Sequence, residues 1–180
     1  MGPAGTCNYS PRLVQLCPGH FYRLGRVIVT ASRIDLVRLT AKISDIEECL
    51  GILRGYAGYV DEQFLENAEA VRSARYTFIV LVEAAVNIAM HLCARLLRQA
   101  PATYAESFEM LAEHGFLPAE LARRLAQMVG FRNLLVHGYE KIDDRRMLKV
   151  TREDLGDLEL YLAAIREVLA REKGNHGQRR

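Results

Sequence analysis

The sequence predicts an all-α fold, an antiparallel bundle of four to five helices. Three observations carry that expectation. Leucine and isoleucine recur at steps of three and four residues over long stretches, the spacing that keeps apolar side chains on one helical face. Glycine and proline stand where those seams stop, and no alternating strand pattern or internal repeat competes with them. Half of the 180 residues are hydrophobic, 26% are charged and only five are proline, a globular composition long enough to bury one core.

Residues 1–30 contain four glycines and three prolines with no helical period. They are expected to be a flexible leader, and Val29 is a candidate alternative start of translation. The first seam, Leu36, Leu39, Ile43, Ile46, Leu50 and Leu53, predicts a helix over about 32–56, closed by Gly55 and Gly58. A second long helix is expected over about 64–99, with Phe78, Leu81, Ala85, Ile88, Leu92 and Leu96 in step and Pro101 as its stop. Thr103 followed by Glu106 spells a capping box, opening a short helix that ends at Gly115. Pro118 suits the first turn of the next helix, which carries Leu121, Leu125, Met128 and Val129. After a charged connection, EKIDDRRMLKV, Thr151 is expected to cap a last helix with Leu155, Leu158, Leu162, Ile165 and Leu169 as its seam. The bundle is thus expected over 31–172, with a disordered basic tail at 173–180.

Net charge is +2, and Arg12, Arg23 and Arg26 stand in the first thirty residues without an acid, which leaves the remainder at −1. A strongly basic nucleic-acid footprint is absent, so RNA binding would need a local patch. The four cysteines, Cys7, Cys17, Cys49 and Cys93, have neither zinc-site spacing nor the density of a disulfide framework, which points to reduced thiols in a cytoplasmic protein. No uninterrupted apolar run approaches the roughly 18 residues of a membrane span, and the N-terminus lacks a signal peptide's apolar stretch.

The stretch GFRNLLVHGY, residues 130–139, breaks the pattern by placing Arg132, Asn133, His137 and Tyr139 within eight positions. At about 100° per residue Arg132 and His137 lie about 140° apart on a helix, whereas Asn133 and His137 share a face. Gly138 suits a helix end after His137, and a long arginine side chain could curl round that end toward the imidazole. Residue by residue, the same set also suits an ordinary helix terminus: a histidine near the C-terminal dipole, an arginine paired with an acid, a tyrosine covering the core.

Taken together, Arg132, four residues, His137, one residue, Tyr139 resembles the R-x4-H-x-Y signature of the HepT-like toxins, a branch of the helical HEPN superfamily. The segments AAVNIAMHL, TYAESFEML, GFLP and MVGFRNLLVHGY stand in that family's order, and the resemblance covers about residues 32–170. It implies a HEPN-like bundle and a metal-independent endoribonuclease, the toxin of a toxin–antitoxin pair whose antitoxin is a minimal nucleotidyltransferase (MNT). RNA carries its own nucleophile, the 2′-hydroxyl. His137 would act as base or acid, Arg132 would stabilise the charge on phosphate, and Asn133 would orient either. Tyr139 is the position at which the family's antitoxin attaches AMP. No cofactor and no metal are implied, and a homodimer would bring two sets of these residues to one cleft.

A second polar stripe, Glu83, Asn87, His91 and Arg95, recurs every four residues. It lacks the Glu-x-x-His pairs of a di-iron site. Either it is a hydrogen-bond ladder within the bundle or interface, or Glu83, Asn87 and His91 form a wall behind the cleft. Two readings other than a nuclease remain open at this level: a non-catalytic helical partner of the nucleotidyltransferase, and a subunit that helps it bind substrate. RNA cleavage by the purified protein separates them from the nuclease.

Overall fold

The computed structural model describes residues 34–138 and 143–177. The leader expected over 1–30, Cys7, Cys17 and Tyr139 lie outside the described residues. Helix α1 (Leu36–Ala57) opens where the Asp35 side chain accepts a hydrogen bond from the Arg38 amide at 3.0 Å, a standard N-cap. Its buried face is Leu39, Ile43, Ile46, Cys49, Leu50 and Leu53, the predicted seam with one cysteine added and Leu36 only partly buried. It lies along α3 (Ala68–Leu92), the most apolar helix of the bundle.

The single helix expected over 64–99 divides into three pieces. A short α2 (Asp61–Glu66) comes first. Asn67 then turns the chain, its side-chain oxygen accepting from the amides of Glu69 at 3.2 Å and Ala70 at 3.0 Å to begin α3. Seam periodicity runs through this cap unchanged, and only the asparagine marks it. After Leu92 the helix widens to a π turn over Cys93–Leu97 and ends at Arg98, whose φ of 57° is left-handed. Within Ala68–Leu97 an 18-residue window has a mean hydropathy of 1.8, long and apolar enough to cross a membrane by composition. This qualifies the expectation drawn from uninterrupted runs, because Glu83, Asn87 and His91 interrupt the stretch without lowering its average enough. Some 67% of that window is buried inside the bundle, as suits a central core helix.

Helix α4 (Tyr104–Glu113) starts with the predicted capping box: the Glu106 amide donates to Thr103 at 3.1 Å and the Glu106 carboxylate accepts from the Thr103 amide at 3.2 Å. Gly115 follows with a φ of 75°, a conformation in which glycine alone carries no Cβ penalty. Pro118 precedes α5 (Ala119–His137), and α4 and α5 pack as a hairpin along their length.

The last third departs from expectation. The charged connection is itself a helix, α6 (Asp144–Glu153), capped by Asp143. Met147, Leu148, Val150 and Thr151 are its buried face. Thr151 therefore caps nothing; its hydroxyl donates back to the Leu148 carbonyl at 2.7 Å inside α6. Charge on the outer face masked a short amphipathic helix. Helix α7 (Leu155–Gly177) then carries the final seam, running past the boundary expected at 172.

These helices close on one core. Tyr161 is fully buried, donating from its hydroxyl to the Ala85 carbonyl at 3.0 Å and meeting Phe108 edge-on at 5.6 Å. Phe78 of α3 meets Phe131 of α5 edge-on at 5.3 Å. Each such ring contributes roughly 1.5–3 kcal/mol by burial, and this second pair fixes the rotation of α5 against α3 just before Arg132. Cys49 and Cys93 are buried free thiols, and burial pushes the Cys93 thiol up to about 11, which keeps it protonated and unreactive.

Candidate active site

Phe131 faces the core, so Arg132, about 100° further round α5, emerges at the α3 boundary. There its guanidinium forms a close ion pair with Glu83 of α3 and donates to the Asn133 side-chain oxygen at 3.0 Å. Its Nε is buried without a hydrogen-bond partner. A buried N–H left unpaired is uncommon and costly, and an arginine presents five donors suited to phosphate oxygens. Glu83 thus orders a cation that has donor capacity to spare.

Asn133 and His137 follow on the exposed side of the same helix. His137 is the last residue of α5, and Gly138 ends the helix. The reason for glycine there differs from the expected one. Gly138 has a φ of −98°, so no left-handed turn is involved. Its amide instead donates to the Leu134 carbonyl at 2.7 Å, and a Cβ would lie 2.7 Å from that same oxygen. Close backbone approach, not positive φ, excludes a side chain. Among the described residues no hydrogen bond joins Arg132 to His137. The arginine turns toward Glu83 rather than round the helix end, because a carboxylate on α3 is the nearer partner.

The polar stripe on α3 separates by function. Glu83 reaches Arg132. Asn87 donates back to the Glu83 carbonyl at 2.8 Å and so stays within its own helix. His91 lies eight residues beyond Glu83, about 12 Å along the axis, and its Nε2 accepts from the Asp35 amide at 3.1 Å. It serves the start of α1, far from Arg132. The stripe is neither a continuous ladder nor a wall: packing partners differ at each turn, and four-residue spacing does not reveal which helix each turn meets.

His91 carries a pH prediction. An Nε2 that accepts a hydrogen bond belongs to a neutral ring protonated at Nδ1. Burial, and then Arg38 and Arg95, hold its pKa below the ordinary 6.5, against a smaller opposing effect of Asp35. The unfolded chain therefore takes up this proton first as pH falls, so the contribution is present above about pH 6.5 and is lost below it. Melting temperatures should fall between about pH 7 and pH 5, and His91→Gln should fall less over the same interval. Parallel curves for the two proteins would exclude this histidine as a cause.

Sequence reasoning missed two features around the site. Arg75 of α3 donates to Asp144 at 2.9 Å, fixing the start of α6 where the chain returns after residue 142. Arg146, within the stretch expected as a charged connection, lies on α6 with its guanidinium 4.6 Å from the Phe131 ring centre, and Lys149 pairs with Glu153 at 3.6 Å. The apolar half of α6, Met147-Leu148 and Val150, was the signal available for both.

The described residues thus form an all-α bundle whose helix α5 carries an ordered arginine, an amide and an exposed imidazole in its last turns. The family model described as Ribonuclease HepT-like matches residues 46–165, and the chain belongs to that family of ribonucleases. It is 26% identical over 125 residues to the mRNA nuclease HepT of Shewanella oneidensis, spanning 69% of this chain and 93% of that protein. It is 25% identical over 138 residues to the tRNA nuclease HepT of Aphanizomenon flos-aquae, spanning 77% and 94%. Among solved structures it is similar to a tri-AMPylated HEPN toxin of Shewanella oneidensis in complex with an MNT antitoxin. That match has a TM-score of 0.68 at 25% identity and covers 72% of this chain and 97% of that one.

Proposed function

We propose that this ribonuclease is the toxin of a toxin–antitoxin pair, cutting RNA without a metal ion through Arg132 and His137. The observation that carries the assignment is the end of α5: a guanidinium held by Glu83 and Asn133, with an exposed histidine one turn beyond Asn133 on the helix's last residue. His137, neutral, takes the proton from a 2′-hydroxyl as that oxygen attacks the adjacent phosphorus. The bond from phosphorus to the 5′-oxygen breaks, and that oxygen receives a proton. The products are a 2′,3′-cyclic phosphate and a 5′-hydroxyl. Arg132 balances the charge gathering on the phosphoryl oxygens. One histidine per chain fills one of the two proton-transfer roles, so a homodimer whose partner copy supplies the other completes the scheme.

The antitoxin is a minimal nucleotidyltransferase that silences the enzyme by adding AMP to Tyr139, and the pair acts in the cytoplasm. The solved HEPN toxin with its MNT antitoxin supports this reading by analogy. The test is cleavage of RNA by the purified protein in EDTA, with the ends identified chemically. Cyclic phosphate ends formed at an undiminished rate are expected. Strict dependence on added magnesium would overturn the mechanism.

A further inference from the structure

The face of α5 that ends in His137 continues backward through Asn133, Gly130 and Ala126. At about 100° per residue these four lie within about 60° of one another. Where Gly130 and Ala126 leave the face bare, the start of α4 comes alongside. A groove of about 490 Å³ results, lined by Thr103, Tyr104, Ala126, Val129, Gly130 and Asn133 among others. Tyr104 is 43% exposed, and among the described residues its ring and hydroxyl make no hydrogen bond or ring contact. A Cβ placed on Gly130 would meet nothing within 4 Å, so the floor there is open.

We infer that this groove seats a nucleobase of single-stranded RNA beside the scissile phosphate, with Tyr104 stacking on the base and Asn133 joining the base site to the phosphate site. The inference rests on the ribonuclease reading above and names how that same site holds its substrate. Four observations favour an RNA base as the occupant. Gly130 stands seven residues from His137, about 10 Å along the helix, so a base on Gly130 leaves its own backbone within reach of the imidazole. Asn133 uses its oxygen on Arg132 at 3.0 Å, and its Nδ2 then points away with no protein partner among the described residues, free to donate to a base edge or a phosphate. Among the described residues no carboxylate lines this groove. The nearest acid on α4, Glu106, is consumed by the capping box. Of three other clefts of about 210, 250 and 290 Å³, the smallest presents Asp45 and Glu48 with no cation, and in the other two the carboxylates are matched by arginine and lysine side chains, most of which already pair with them. Finally, recognition of unpaired RNA relies on aromatic side chains that stack with exposed bases.

Three variants and one modified substrate test it. Tyr104→Ala removes the stacking ring, Tyr104→Phe keeps it, and Gly130→Leu fills the groove while improving helix propensity. None should melt below the parent, and all should keep its mass by light scattering. On a short single-stranded RNA oligonucleotide, Tyr104→Ala and Gly130→Leu should lower kcat/KM by about 5- to 140-fold, the usual range for loss of one stacked base, and Tyr104→Phe should stay near the parent. On the same oligonucleotide made abasic at one or other position flanking the cut, the parent should drop by a like factor and the two damaging variants should lose nothing more. Variants that cleave within twofold of an active parent overturn the groove assignment and leave the ribonuclease reading intact. A change of oligomeric mass in Gly130→Leu also overturns it, in favour of a protein interface. A parent that cleaves no RNA removes both.

Discussion

Replacing His137 or Arg132 with alanine should each reduce RNA cleavage by about 10²-fold or more, the scale set by loss of a positioned proton-transfer group or of a transition-state charge partner. Both variants should fold. His137 is exposed at the terminus of α5, where a truncation leaves no cavity. Arg132 is more deeply placed, and removing it leaves Glu83 without its cation. That carboxylate side chain retains 31% exposure, so water can solvate it in the variant. Arg132→Lys keeps the charge and loses the planar fork, so it should recover only part of the activity. Steady-state cleavage measured beside helicity and oligomeric mass decides the matter. A folded alanine variant with parental activity removes that residue from the mechanism.

Tyr139→Phe should leave RNA cleavage intact and abolish silencing. Tyr139 lies outside the described residues, but the chain on either side is fixed. Gly138 is tied to Leu134 before it, and the start of α6 is capped by Asp143 and anchored through Asp144 to Arg75 after it. In the proposed modification the Tyr139 oxygen attacks the α-phosphorus of ATP, the bond to the β-phosphate breaks, and pyrophosphate leaves. The tyrosine then carries a nucleotide and a negative phosphodiester two residues from His137. A group of that charge competes with substrate phosphate for Arg132 and repels incoming RNA. Incubation with the nucleotidyltransferase, ATP and magnesium should add the mass of one or more AMP units to the parent and none to the phenylalanine variant. If the variant gains AMP and loses activity as the parent does, the switch lies elsewhere.

Why a short interval of α5 holds all the described residues of the proposed site follows from its packing. Phe131 is locked against Phe78, which sets the angle at which Arg132 leaves the helix, and the Glu83 carboxylate then fixes where its guanidinium stops. Asn133 and His137 need no partner in the core because they lie on the solvent side. One helix thereby supplies both the rigid half of the proposed site and the half that must remain accessible.

Local spacing and end signals determined the all-α class, the seams of α1, α3, α5 and α7, the capping box at Thr103 and the helix end at His137, because each depends on residues within one or two turns of one another. They also placed Arg132, Asn133 and His137 on one helix with Tyr139 just past its end. Tertiary structure decided the rest. That Glu83 meets Arg132 while His91, two turns further along the same stripe, serves Asp35 depends on which helix lies opposite each turn, and sequence periodicity carries no term for that. The helix hidden in DDRRMLKV formed because Met147, Leu148 and Val150 found the core, outweighing a charge pattern that read as loop. The groove beside Gly130 likewise exists only because α4 returns alongside α5, a contact between segments some 26 positions apart at Tyr104 and Gly130. Periodicity identifies which faces are apolar; it is the packing of those faces against one another that selects the polar pairs between them.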